Sequence, residues 1–212
     1  SRGTRELLNL IDETCAAGGR MFGQTHSRGI SHMLSFRGKL QFDSLPAWRA
    51  VRSLPVEQQL VELRKPGVRR ALIEAADQGT YGMAGGQTRK PEYEHMYVVL
   101  SAARSNPTVA EMAAQRGVHP VELMMDLAIE TGFNQFFMQF SSRSMAKNDD
   151  ARLTSLLHPR TVMTFSDSGA HVGLIMDSSI HTHLLSWWVR EKQAISLEQG
   201  VRMITLVPAM AW

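Results

Sequence analysis

The order of apolar and polar positions divides the 212-residue chain into stretches of helical and of extended spacing. Leu7, Leu8, Ile11 and Cys15 fall on one side of a helix predicted from Arg5 to Ala17, with Gly18-Gly19 as its stop. Arg20 to Thr25 reads as a short strand and His26 to His32 as its exit loop. From Ser35 to Pro55 neither period holds, although Phe36, Phe42, Pro46 and Trp48 lie there. Irregular stretches of that length are usually lids or binding loops. Helical spacing returns from Val56 to Arg64 and from Val68 to Gln78, and Tyr97 to Leu100 reads as a strand.

Two helices are predicted from Thr108 to Gly117 and from Pro120 to Thr131, the first opened by a Thr108–Glu111 capping box. Phe133 to Phe140 is an aromatic strand or turn, Ser141 to Asp150 a polar loop, and Ala151 to Leu157 a short helix. Val162 to Phe165 then reads as a buried parallel strand, because Pro159 bars a helix from entering it. Helices from Ile180 to Lys192 and from Ser196 to Thr205 close the pattern. Strands alternating with helices argue for an α/β fold with parallel strands.

Composition excludes more than it selects. Hydrophobic content of 43% and charged content of 20% are ordinary for a globular protein. A formal charge of +3 from scattered basic residues gives no footprint for nucleic acid or an anionic membrane. No apolar run approaches the ~20 residues that a membrane helix needs. The single Cys15 excludes an internal disulfide framework and fits a reducing compartment, so the expected location is cytoplasmic. Most of the thirteen Met residues fall in apolar segments, where Met fills cores.

The chemistry gathers where the 162–165 strand ends. Asp167 follows it, then Gly169 and His171. In α/β folds the carboxyl edge of the strands is where catalytic groups collect. A carboxylate there can bind a metal, orient a water and take its proton, or it can simply cap the next turn. His171 is either a substrate or oxyanion contact or a packed imidazole. His26, Arg28 and His32 line the mouth of the first strand, where Arg28 is either a bidentate carboxylate ligand or a solvated loop residue.

His181-Thr-His183 invites a zinc reading, but Ser178-Ser179 starts a helix and Leu184, Leu185 and Trp188 continue it. Residues two apart on a helix lie about 200° around its axis and cannot share an ion. The helix pair around Gly117-Val-His-Pro120 has the spacing of a DNA-reading helix-turn-helix. Its second helix, Val-Glu-Leu-Met-Met-Asp-Leu, carries no cation for phosphate, and packing is the expectation.

Several segments together resemble the N-acyl-D-amino-acid deacylase branch of the amidohydrolase superfamily. They are Thr164-Phe-Ser-Asp-Ser-Gly-Ala-His-Val172, Met176 to His183, Trp188-Val-Arg190 and Val201 to Ala209. Phe42 to Trp48, Leu63 to Arg69 and Gly117 to Leu127 are similar to that branch as well. The resemblance implies part of a (β/α)8 TIM-type metallo-dependent hydrolase barrel, its last strands and helices, with a long helical and loop insertion at roughly 35–150. It implies one barrel domain over residues 1–212, with the family's small β-sandwich domain absent. It further implies zinc-dependent hydrolysis of the amide bond of an N-acyl-D-amino acid. Asp167 is then the general base on a metal-bound water and a metal contact, with His171, Ser168, His26 and Arg28 in the substrate pocket.

The family's first-strand His-x-His or His-x-Asp, its bridging ligand and its later histidines are expected ahead of Ser1. Cys15 does not match the family's ligating cysteine. The 212 residues alone are therefore expected to be inactive and poorly soluble, or to need the missing part or a partner. The partners implied are a small-molecule N-acyl amino acid or amide, with no nucleic acid or membrane, and a homo-oligomer is compatible. The alternatives are another amidohydrolase of dihydropyrimidinase or hydantoinase type, and a binding protein that kept the fold without the metal.

Overall fold

The computed structural model describes residues 2–82, 88–101, 106–140, 149–164, 166, 173–175 and 178–211. It is a mixed α/β protein with two small sheets, one parallel and one antiparallel, and no closed barrel among the described residues. The chain falls into two compact units. The first comprises Ser1–Ile30, Ser142–His171 and Asp177–Trp212, and the second comprises Ser31–Ser141 and Val172–Met176.

In the first unit, α1 (Arg2–Ala16) leads to β1 (Gly23–Gln24), and α7 (Asp149–Leu157) leads to β5 (Thr161–Val162). The two strands pair in parallel, Gly23 opposite Thr161 and Gln24 opposite Val162. The Gly23 N–H donates to the Arg160 carbonyl at 2.9 Å and the Thr25 N–H to that of Val162 at 3.0 Å. The α1 helix presses so closely on β1 that a Cβ on Gly23 would lie 2.8 Å from Ile11 Cδ1. Leu8 and Ile11 are buried, whereas Leu7 is 66% exposed, so the inward stripe of α1 is narrower than its apolar positions suggested.

Beyond β5 come α8 (Ile180–His183), a π-helical stretch (Leu184–Glu191), α9 (Leu197–Ile204) and α10 (Leu206–Ala211). The Ser196 hydroxyl caps α9 by accepting from the Gln199 N–H at 3.2 Å. Leu156, Met163, Ile180, Leu184, Trp188, Ile195 and Met203 form this unit's apolar cluster. Gly200 lets α9 come close to the π-helix, since a Cβ there would stand 2.9 Å from Val189 Cγ2.

The second unit is built on an antiparallel sheet of order β2 (Ser31–Ser35), β4 (Phe136–Phe140), β3 (Met96–Val99). The expectation of parallel strands throughout is corrected here. Leu34, Phe137 and Val98 stand in one cross-strand row, and all three are fully buried. Helices α2 (Pro46–Arg52), α3 (Val56–Glu62), α4 (Pro66–Gln78), α5 (Val109–Arg116) and α6 (Pro120–Glu130) complete the unit, with a 3₁₀ turn at Tyr93–His95.

The Ser35 to Pro55 stretch is not an open lid. Phe36, Phe42 and Trp48 are buried, Phe42 stacks on Trp48 at 4.4 Å, and the Trp48 indole N–H donates to the Leu72 carbonyl at 2.9 Å. Pro46 begins α2 as a first-turn proline, which is why an apolar stretch without clean periodicity still becomes a helix. The Thr108–Glu111 capping box is present, and Gly117 ends α5 in the left-handed region at φ 66°. The α5–α6 pair buries Val109, Ala113, Val121, Leu123 and Met124, the packing role its composition implied.

Candidate functional site

Both strands of the parallel pair open toward the same edge. Just past them, the Gln24 side-chain amide donates to the Thr164 hydroxyl at 3.1 Å, so the two exits run side by side. Asp167, Ser168 and His171, the predicted base and two predicted pocket residues, lie outside the described residues. His26 and Arg28, on the exit of β1, are described. His32, read as part of the same mouth, belongs instead to β2 of the second unit.

The His26–Arg28 segment is stitched to the start of α8 and to the π-helix. The Ser27 hydroxyl donates to the Ile180 carbonyl at 2.6 Å. The Ser27 carbonyl accepts from the Trp188 indole at 2.7 Å. The Arg28 guanidinium donates to the Ser179 hydroxyl at 3.0 Å, and its backbone N–H donates to His26 Nδ1 at 3.3 Å. His26 and Ser27 are buried. These directed bonds make the His26–Arg28 segment a fixed platform.

Next to this platform stand His183, set aside above as half of a zinc pair, and Arg152, which the sequence did not single out. His183 is half-buried on α8, and its Nδ1 has no hydrogen-bond partner among the described residues. Burial, followed by the charges of Arg28, Arg152 and His26, lowers its pKa to about 4, with Asp149 opposing. Arg152 lies on α7 with its side chain 11% exposed and its NH1 3.2 Å from Asp149 Oδ1. Its pKa is also lowered, chiefly by burial and also by the charge of Arg28. The Lys192 ammonium reaches the same Asp149 carboxylate at 3.4 Å and sits 4.8 Å over the Trp187 ring.

His181 is exposed and His183 faces inward, so the two rings do not converge, as helical spacing requires. Among the described residues no three His, Cys, Asp or Glu side chains come together to hold a metal ion. The guanidiniums beside His183 also make that ring a poor cation ligand. Among the described residues no helix is long and apolar enough to cross a membrane.

The chain matches no family model, no curated protein and no solved structure. Only Arg28's side of the cluster was visible from its loop position. His183 and Arg152 join it through folding, since α7, α8 and the β1 exit are far apart in the chain.

Proposed function

We propose that the first unit carries part of the active site of an amidohydrolase-type enzyme acting on N-acyl-D-amino acids or related amides. The observation that carries the reading is the parallel β1–β5 pair. Its two exits leave side by side at Gln24 and Thr164, the first continuing into the His26–Arg28 platform and the second followed in the sequence by Asp167. On this reading β1 and β5 are neighbouring strands near the end of a (β/α)8 barrel, whose active sites sit at that strand edge.

Asp167 takes a proton from the attacking water, the water oxygen bonds to the amide carbon, and the same proton passes to the leaving nitrogen as the C–N bond breaks. Zinc, when bound, would lower the water's pKa and polarise the carbonyl. Asp167 is the metal contact this chain would offer, and the other ligands are not among the described residues. His171, Ser168, His26 and Arg28 are the proposed substrate contacts, with Arg28 suited by its charge to the amino-acid carboxylate.

The test uses the protein expressed from its own reading frame with zinc, assayed for amine release from N-acetyl-D-amino acids and for ring opening of hydantoins. Hydrolysis of the first class, lost by on the order of 10²–10⁴-fold in Asp167→Asn, supports the reading. Preference for hydantoins would move it to the dihydropyrimidinase type. Activity untouched by Asp167→Asn, or no hydrolysis together with ligand binding, would replace it with the binding-protein reading.

A further inference from the structure

Ile180, Leu184 and Trp188 are buried, and all three belong to the apolar cluster of the first unit. They follow one another at intervals of four residues. On an α-helix each residue advances about 100°, so the eighth residue on lies about 80° off the line of the first. From Leu184 to Glu191 the helix is π instead. Its i→i+5 bonds put more residues in each turn and give each residue less rotation. Trp188 is thereby turned back toward the line of Ile180.

That line meets a single residue of the platform. The Ile180 carbonyl accepts from the Ser27 hydroxyl at 2.6 Å, and the Trp188 indole N–H donates to the Ser27 carbonyl at 2.7 Å. The Trp188 carbonyl accepts in turn from the Ala194 and Ile195 N–H groups at 3.0 and 3.3 Å, which closes the far end of the π stretch. Gly200 leaves room for the wider helix, since a Cβ there would also stand 3.4 Å from Leu185 Cδ2. π-helices are rare, mostly single turns, and frequent at functional sites. Here the π register delivers the second bond to Ser27, whose chain neighbours are His26 and Arg28.

We propose that Trp188 is a positioning residue of the active site, brought onto Ser27 by the π register so that His26 and Arg28 stand where substrate meets them. The role rests on the hydrolase reading above, in which His26 and Arg28 contact the substrate. Trp188 itself acts only through the Ser27 backbone. Without the indole N–H, the Ser27 carbonyl is buried and unpaired, and the segment shifts to find another donor. The substrate then meets misplaced contacts, while Asp167 and the chemistry it performs are untouched. Linkage runs the other way too: a substrate that binds only the bonded platform stabilises the Trp188–Ser27 bond.

The test compares the unsubstituted protein and Trp188→Phe, both with zinc, on the N-acetyl-D-amino acid that the former hydrolyses fastest. Near-UV circular dichroism checks that the variant folds. Trp188→Phe is expected to raise KM about tenfold with kcat within about twofold. A purely structural loss would instead reduce the amount of folded enzyme, lowering the apparent kcat and leaving KM alone. The second measurement is hydrogen exchange of the Trp188 indole N–H by NMR in Asp167→Asn, with the same compound added. At ten times its dissociation constant the compound is expected to slow that exchange about tenfold. This readout decides alone if Trp188→Phe does not fold. Hydrolysis with an unchanged KM in folded Trp188→Phe removes the role and leaves the hydrolase reading, and so does indole exchange indifferent to the compound. No hydrolysis by the unsubstituted protein removes the reading and the role with it.

Discussion

The Trp188 indole N–H donates to the Ser27 carbonyl at 2.7 Å, and that bond ties the π-helix to the platform carrying His26 and Arg28. Both residues are essentially buried, so neither group has water to fall back on. Trp188→Phe is expected to keep most of the packing but orphan the carbonyl. It should cost about 1–3 kcal/mol in urea unfolding and speed amide exchange at Arg28. Unchanged exchange at Arg28 would mean that the platform is held by other bonds.

The depressed pKa of His183 gives stability a pH dependence. The unfolded ring titrates near its ordinary 6.5 and the folded ring near 4. Between those values the unfolded chain binds a proton that the folded chain does not, so stability falls as pH falls through that window. His183→Gln is expected to flatten this part of the profile by about 1–2 kcal/mol, the shift being discounted for the ring's partial exposure. Urea midpoints from pH 4 to 7, in a buffer free of carboxylates, measure the difference.

Gly23 sets the distance between α1 and β1. Gly23→Ala is expected to cost about 1–3 kcal/mol, because the new methyl meets Ile11 Cδ1 at 2.8 Å. That atom is a side-chain tip, so Ile11→Val should recover part of the loss. A double-mutant cycle by thermal unfolding measures the coupling, and strict additivity would show that the crowding lies elsewhere.

The capping box of α5 is a local device. The Glu111 N–H donates to the Thr108 hydroxyl at 3.1 Å and the Thr108 N–H to the Glu111 carboxylate at 2.8 Å. Thr108→Ala is expected to destabilise the second unit by about 0.5–2 kcal/mol, with Thr108→Ser close to neutral. Chemical denaturation followed at that unit's Trp48 reads the change.

Features legible in the chain alone are those completed within a few residues. The Thr108–Glu111 box needs only backbone groups within about one helical turn. Helical spacing likewise separates His181 from His183 whatever packs against them. Arg28 could be placed beside His26 on the exit of β1 because a strand and its exit loop are contiguous.

Tertiary structure decided what depends on a partner from elsewhere. Leu7 and Leu8 are equally apolar, yet only Leu8 finds a surface to bury against. Phe36, Phe42 and Trp48 become core because Leu72 supplies an acceptor for the indole and Phe133 packs against Phe36 at 5.3 Å. Tyr97 to Leu100 and Phe133 to Phe140 carry strand composition, but antiparallel direction arises only where β4 lies between β2 and β3. His183 acquires its low pKa first from burial and then from the charges of Arg28 and Arg152, residues with no sequence relation to it. Charge interactions act through space and decay over a few ångströms, so only the folded chain brings those three groups within reach.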